Sequence, residues 1–174
     1  MKECIIDIES TSFKPWQGKI ICIGTKNIKT GEIKVFHDQN EKEILIRLFK
    51  YHNEEQFKKY IGFNLGFDIR FIFGKCLQYQ LPTNGFFLTR QTDLLTILRD
   101  VGMPNTLNKA GTLDQWVKSV LGKQKTYPNH LIPDLYLSNR IQDIIEYNKN
   151  DLEITFELWQ RIQKVLEGHK CLTD

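Results

Sequence analysis

Paired cysteines are missing from this chain. Its four, Cys4, Cys22, Cys76 and Cys171, lie far apart with no Cys-x-x-Cys spacing, which disfavours both a zinc ribbon and a disulfide-dense secreted scaffold. Reduced thiols in a cytoplasmic protein are the expectation. Long apolar runs are missing too. None approaches the about 20 residues that cross a bilayer, so no membrane partner is expected. Met1-Lys2-Glu3 leads into a short apolar run that contains an acid, unlike the start of a secretory signal. The chain has no internal repeat, no low-complexity stretch and no long linker. Charge of one sign is scarce, with 24 Lys and Arg against 21 Asp and Glu and a net charge of +3. The histidines His37, His52, His130 and His169 show no metal-ligand spacing.

What remains is the composition of a globular chain: 41% hydrophobic, 11% aromatic and 26% charged over 174 residues. That is too apolar for disorder and too charged for a membrane protein. One domain over residues 1–174 is the expectation at this length, and such a chain buries roughly 70% of its unfolded surface without help from metal or disulfide. The charge is unevenly spread. Residues 105–130 carry Lys109, Lys118, Lys123 and Lys125 against Asp114 alone, while residues 131–174 carry five basic and eight acidic side chains. A basic segment beside an acidic one suits a polyanion held near metal ions, and equally a solvated mixed surface.

Periodicity predicts a mixed α/β arrangement. Cys4–Glu9, Ile20–Thr25 and Ile33–Phe36 read as strands, the last two joined by a turn at Thr30-Gly31. Asn40 with Glu43 three residues on is a capping-box pattern before a helix carrying Ile44, Leu45, Leu48 and Phe49. Tyr60–Phe63 reads as a strand, Phe67–Leu77 as a helix, Pro82–Gly85 as a turn and Thr92–Leu95 as a strand. Leu113–Leu121 reads as a helix stopped by Gly122, and Lys123–Pro133 as a loop with Pro128 inside it. Helical spacing then runs from Ile141 to Leu166, as one helix or as two meeting near Asn148 and Asn150, both poor helix formers. About five strands in a mixed central sheet flanked by helices is the α/β class expected.

Three clusters do not fit a purely structural chain. Asp7 and Glu9 lie two apart on the first strand, so they share a face, with Cα atoms ~7 Å apart at about 3.3 Å per residue. Ile5, Ile6 and Ile8 around them mark the strand as buried. Two like charges at a core edge cost several kcal/mol unless neutralised, and a divalent cation would do so; a strand end pointing to water is the alternative. Asn64-Leu65-Gly66-Phe67-Asp68 runs from a strand into a helix, where the dipole alone favours Asp68 by roughly 0.3–1 kcal/mol. Tyr147 and Asp151 are four apart on a helix and point together.

Taken in order, these clusters resemble the DEDD family of 3′–5′ exonucleases. Asp7 and Glu9 match its Asp-x-Glu motif. Asn64, Phe67 and Asp68 match the motif of Asn, two or three residues, an aromatic and Asp. Tyr147 and Asp151 match Tyr-x₃-Asp, whereas the histidine form would need His where Glu146 stands. The likeness is to the tyrosine subclass, which includes the proofreading domains of family B DNA polymerases. It extends from residue 3 to about residue 166, and Thr106–Gly122 is similar to the stretch before the third motif in relatives. No polymerase palm or thumb fits in the remaining residues, so a free-standing exonuclease is expected.

The resemblance implies a ribonuclease H-like fold and a two-metal mechanism using Mg²⁺ or Mn²⁺, two per site. Hard oxygen ligands select such ions over zinc, and four carboxylates balance two divalent charges. Asp7 would bridge both metals, Glu9 and Asp151 would complete the nucleophile's site, and Asp68 would act on the second metal through water. Tyr147 would orient the attacking water, and the product would be a nucleoside 5′-monophosphate. Ser10, Thr11 and Ser12 would line the terminal-nucleotide pocket, bordered by Asn64 and Phe67. Phe13 and Trp16 either stack on terminal bases, at about 1–3 kcal/mol per base, or cover the core edge. Lys123 and Lys125 are candidates for backbone phosphates. The implied partner is single-stranded or frayed nucleic acid, DNA ahead of RNA. An RNA-directed exonuclease, a structure-specific endonuclease of the same fold and an inactive binding module are the alternatives. The sequence names no polymerase or repair partner.

Overall fold

A computed structural model describes residues 2–102, 111–123 and 131–167. Five strands form one mixed sheet: β1 (Glu3–Ser10), β2 (Ile20–Asn27), β3 (Ile33–His37), β4 (Lys59–Gly62) and β5 (Arg90–Asp93), in the order β3-β2-β1-β4-β5. β1, β2 and β3 are antiparallel neighbours, and β4 and β5 run parallel to β1. Six α-helices occur among the described residues: α1 (Glu41–Glu55), α2 (Leu65–Tyr79), α3 (Leu94–Gly102), α4 (Leu113–Leu121), α5 (Ile132–Leu137) and α6 (Ile141–Glu167). The expected α/β sheet flanked by helices is therefore the observed architecture.

Alternation along β1 sorts the core into two sides. Cys4, Ile6 and Ile8 pack with Ile44, Leu45 and Leu48 of α1 and Phe71 and Ile72 of α2. Ile5 faces the other way, onto Leu94 of α3, Val117 of α4 and Leu152, Leu158 and Ile162 of α6. Asp7 and Glu9, in step with Ile5, are thus turned toward α6. The β1–β2 register slips between Glu9 and Ser10, since Glu9 opposes Cys22 and Ser10 opposes Ile20. Ile21 is the extra residue of this bulge. Ile21 and Cys22 accordingly both pack with Ile144 and Tyr147 of α6 and with Ile132 and Leu135 of α5.

Several sequence expectations need correction. Asn40 does cap α1, its side chain accepting from the Lys42 amide, but the reciprocal bond of a capping box is replaced: the Asn40 amide donates to Asp38 Oδ1 at 2.9 Å. Leu94 and Leu95 belong to α3, not to a strand, because the Asp93 carboxylate accepts the Leu95 amide at 3.0 Å and starts a helix there. A short apolar run is ambiguous between the two periods until such a contact settles it. The loop expected up to Pro133 ends earlier: Pro133 lies in the first turn of α5, where its missing N–H is harmless. Asn148 and Asn150 do not split the last helix; α6 is continuous over 27 residues. Gly122 stops α4 in the left-handed region, as expected. Lys109, Lys125, Pro128, His130, His169 and Cys171 lie outside the described residues.

A buried ion pair fixes the start of β2, just after the loop at residues 11–19. Glu41 and Lys75 face each other at 3.4 Å with side chains 5% exposed, and Glu41 also accepts from the Tyr79 hydroxyl at 2.6 Å and from the Ile20 amide. One carboxylate thus ties α1 and α2 to the first residue of β2. Lys75→Met should strand that charge and cost about 3 kcal/mol or more of stability, read as a lower urea midpoint at unchanged m-value. A midpoint equal to wild type would mean that the pair contributes nothing.

Candidate active site

Three elements supply the acidic side chains. β1 carries Asp7 and Glu9, the start of α2 carries Asp68, and the middle of α6 carries Tyr147 and Asp151. Carboxylate oxygens of Asp7, Glu9 and Asp151 all lie within 4.8 Å of one another, with Glu9 and Asp151 buried and Asp7 partly exposed. Sequence spacing placed Asp7 with Glu9, and Tyr147 with Asp151. The fold brings the two pairs together, because α6 crosses the face of β1 from which Asp7 and Glu9 project.

Asp68 sits just outside this triad. β4 pairs with β1 only as far as Ile5 opposite Ile61. Beyond that point the Ile8 amide donates to Asp68 Oδ1 at 3.0 Å. Burial pushes the Asp68 carboxyl well above the usual carboxylate range, and the Asp7 charge pushes it the same way; the Ile8 amide and its own amide oppose the shift. Asp68 and Asp7 therefore share one electrostatic neighbourhood. The turn leading to Asp68 is held by a residue to which the sequence reading gave no role. Asp93, at the end of β5, accepts the Asn64 amide at 2.9 Å where Asn64 takes a left-handed conformation with φ of 58°. Its sequence signal was an acid immediately before an apolar run, the pattern of a helix start.

Tyr147 is 1% exposed and hydrogen-bonded to Asp151. Burial holds its hydroxyl far above the ordinary tyrosine range, reinforced by the charges of Asp151, Glu9 and Asp7. Its hydroxyl donates to Asp151. Burial likewise pushes up the Cys22 thiol, with Glu9 and Asp7 adding to the shift, so Cys22 is an unreactive neighbour of the acids.

The expected substrate residues have mixed placements. Ser10, Thr11 and Ser12 spend hydroxyl bonds on their own loop: Ser10 Oγ donates to the Ser12 carbonyl, Thr11 Oγ1 accepts from Lys19, and Ser12 Oγ accepts from Lys14. A Cβ on Gly74 would come within 2.8 Å of Pro15 Cβ, so this loop lies directly on α2 at a position that only glycine permits. The loop carries Phe13 and Trp16 outward, 87% and 68% exposed. Phe13 meets Phe67 edge-on at 6.2 Å, and Phe67 leans on Phe71 in the core. Asn64 is exposed beside the same turn. Lys123 is partly exposed, and its Nζ contacts both carboxylate oxygens of Glu157, at 2.7 and 2.6 Å. Of the two histidines among the described residues, His37 Nδ1 lies 3.1 Å from the Ile21 carbonyl and His52 Nδ1 lies 2.9 Å from the Tyr60 hydroxyl, and neither touches the acids.

The donor set is all oxygen, converging and hard, and it fits Mg²⁺ or Mn²⁺. The profile of the RNase_H superfamily matches residues 4–163, and the chain belongs to that superfamily. It is similar to the uncharacterized protein MJ0365 of Methanocaldococcus jannaschii, with 28% identity over 172 residues, 92% of this chain and 94% of that one. Its fold is similar to part of the family B DNA polymerase of the hyperthermophilic archaeon Pyrobaculum calidifontis, with a TM-score of 0.77 at 15% identity over 94% of this chain; the chain spans 24% of the polymerase's length. The fold is ribonuclease H-like, and superfamily membership with the acidic triad points to a nuclease that acts on nucleic acid.

With metal removed, the raised Asp68 carboxyl has a stability consequence. It retains a proton at pH values where the same carboxyl in the unfolded chain, near 3.9, has lost it. The folded state then binds more protons, so the metal-free protein loses stability as pH rises from about 4 through the elevated folded value. Asp68→Asn keeps an acceptor for the Ile8 amide and deletes the charge. In chelator at pH 7 it should melt above wild type, by about 2–4 °C for each kcal/mol of repulsion removed, with a flatter dependence on pH. Differential scanning calorimetry checks this, and an Asp68→Asn protein that melts below wild type would contradict it.

Proposed function

We propose that this chain is a metal-dependent 3′–5′ exonuclease of the tyrosine subclass, trimming single-stranded or frayed DNA ends to nucleoside 5′-monophosphates. The observation that carries the proposal is the convergence of Asp7, Glu9 and Asp151 within 4.8 Å beside a buried Tyr147 hydroxyl and a buried Asp68. Those five residues match all three motifs of the subclass in order. The likeness to a family B DNA polymerase supports the choice of DNA, because the resemblance joins this chain to the proofreading domains of that class.

Two Mg²⁺ or Mn²⁺ ions, when bound, would supply activation of a water and stabilisation of the leaving 3′ oxygen in an in-line displacement. The chain's own residues do the rest. Asp7 is close to Glu9 and Asp151 and also shares the electrostatic neighbourhood of Asp68, so it would help to hold both ions. Glu9 and Asp151 would complete the set that holds one ion, and Asp68 would help to hold the other. Tyr147, buried beside the acids and hydrogen-bonded to Asp151, would orient the attacking water. Phe13 and Trp16, presented by a loop whose own hydroxyls stiffen it, offer faces on which a terminal base stacks, with Phe67 and Asn64 at the rim. The Lys123–Glu157 pair would have to open before Lys123 could reach a phosphate.

The test is digestion of 5′-labelled linear DNA, matched RNA and circular single-stranded DNA with Mg²⁺, Mn²⁺ or chelator. Stepwise shortening of linear single strands is expected, lost in chelator and lost in Asp7→Ala. Tyr147→Phe should fall by on the order of 10²–10³ in rate, the usual cost of one positioning group. Binding should weaken as salt rises. Equal attack on the circle, preference for RNA, or full turnover in chelator would each contradict the proposal.

A further inference from the structure

We infer that Asn148 is a positioning residue for Asp7, holding the carboxylate in the orientation that a bridging metal ligand requires. The role depends on the metal-site reading above and extends it to a residue outside the motif positions. Asn148 sits between Tyr147 and Asp151 on α6 and is fully buried, at 0% exposure. Its Nδ2 donates to Asp7 Oδ2 at 2.8 Å and lies 3.4 Å from the Asp7 carbonyl oxygen. One amide thus grips both the side chain and the backbone of the same residue, which fixes the carboxylate's rotation as well as its place.

The other end of the amide explains why the grip has one direction. Asn148 Oδ1 is buried with no hydrogen-bond donor. It rests on Gly24, the residue directly opposite Asp7 in the β1–β2 register. A Cβ at Gly24 would stand 1.8 Å from Asn148 Oδ1 and 2.8 Å from Leu152 Cδ1. Only glycine lets the amide lie so close to β2. Turning the amide over would bring its oxygen against the Asp7 carboxylate, two acceptors face to face, so Nδ2 is the end that faces the acid. A buried amide with one unmet oxygen is less stable than an apolar side chain of its shape. Its position also breaks a pattern: Ile144, Asn148 and Leu152 follow at four-residue intervals on the face that packs on the sheet, and Ile144 and Leu152 are both 0% exposed. An apolar residue is expected there on packing grounds, and an amide is present whose donor points at the central acid.

Outer partners that orient metal ligands typically contribute 10–100-fold to metal affinity. The experiment is direct Mn²⁺ binding to the full chain, stripped of metal, by isothermal titration and by the free-Mn²⁺ electron paramagnetic resonance signal, at a temperature well below the melting point. Asn148→Ala should bind Mn²⁺ about 10–100-fold more weakly than wild type. Asn148→Leu refills the volume without the donor and should bind as weakly as the alanine variant, even if it melts at a higher temperature. Gly24→Ala should reproduce the loss by displacing the amide, and adding it to Asn148→Ala should weaken binding little further. If Asn148→Leu binds as wild type does, the amide is packing alone and the inference falls. If wild type binds Mn²⁺ and Asn148→Ala binds it equally well, the inference falls while the metal site stands. If wild type binds no Mn²⁺, both fall together.

Discussion

Repulsion between carboxylates that the fold holds in one cleft is the constraint on which the rest of this structure depends. Two unit charges 4 Å apart repel by about 4 kcal/mol at an effective dielectric of 20, and here three acids share a space of that size with a fourth beside them. Each acid sits on an element anchored elsewhere in the core: β1 between two sheet neighbours, α2 against β1, and α6 along the sheet's other face. Donors also meet the charge. The Ile8 amide answers Asp68, the Asn148 amide answers Asp7 and the Tyr147 hydroxyl answers Asp151. Burial, with the Asp7 charge added to it, still leaves the Asp68 carboxyl raised. A divalent cation would relieve what these donors leave, and the converging acids suit one.

Local irregularities serve that geometry. The bulge after Glu9 sends Ile21 and Cys22 to one side and gives α5 and α6 a continuous apolar seat beside the acids. Gly24 thins β2 where α6 comes closest, and Gly74 thins α2 where the aromatic loop lies down. The left-handed turn at Asn64, tied to Asp93, sets the angle at which α2 leaves β4 and so where Asp68 points. The buried Glu41–Lys75 pair holds the far end of the loop. Rigid elements place the acids, and a braced loop presents the groups proposed to meet substrate.

The strands and the acids were legible because they obey short rules. Period-two patterning marked β1, β2 and β3, and two acids inside such a pattern were conspicuous. The i, i+4 rule put Tyr147 beside Asp151. What stayed hidden depended on partners distant in sequence. Asn148 read as a poor helix former, and only the packing of α6 on Gly24, 124 residues before it, gives the amide its meaning. Leu94 and Leu95 read as the end of a strand, since they and Ile97 suit either period, and the deciding bonds are those that the Asp93 carboxylate accepts from the Asn64 and Leu95 amides. Lys123 read as a candidate for backbone phosphate, and its ion pair with Glu157 was out of sight because the two lie 34 residues apart. The convergence of the two acidic pairs is likewise tertiary: the motifs name the residues, but the crossing of α6 over β1 brings them within 4.8 Å.

The central claim is that these acids form one divalent metal site. Anomalous diffraction from crystals soaked in Mn²⁺ tests it most directly, because the manganese signal locates the ions without reference to activity. The account predicts a peak ligated by Asp7, Glu9 and Asp151, and a second peak on the Asp7 side that faces Asp68. Saturating Mn²⁺ that leaves the cleft without a peak, or that binds only elsewhere on the molecule, would contradict it.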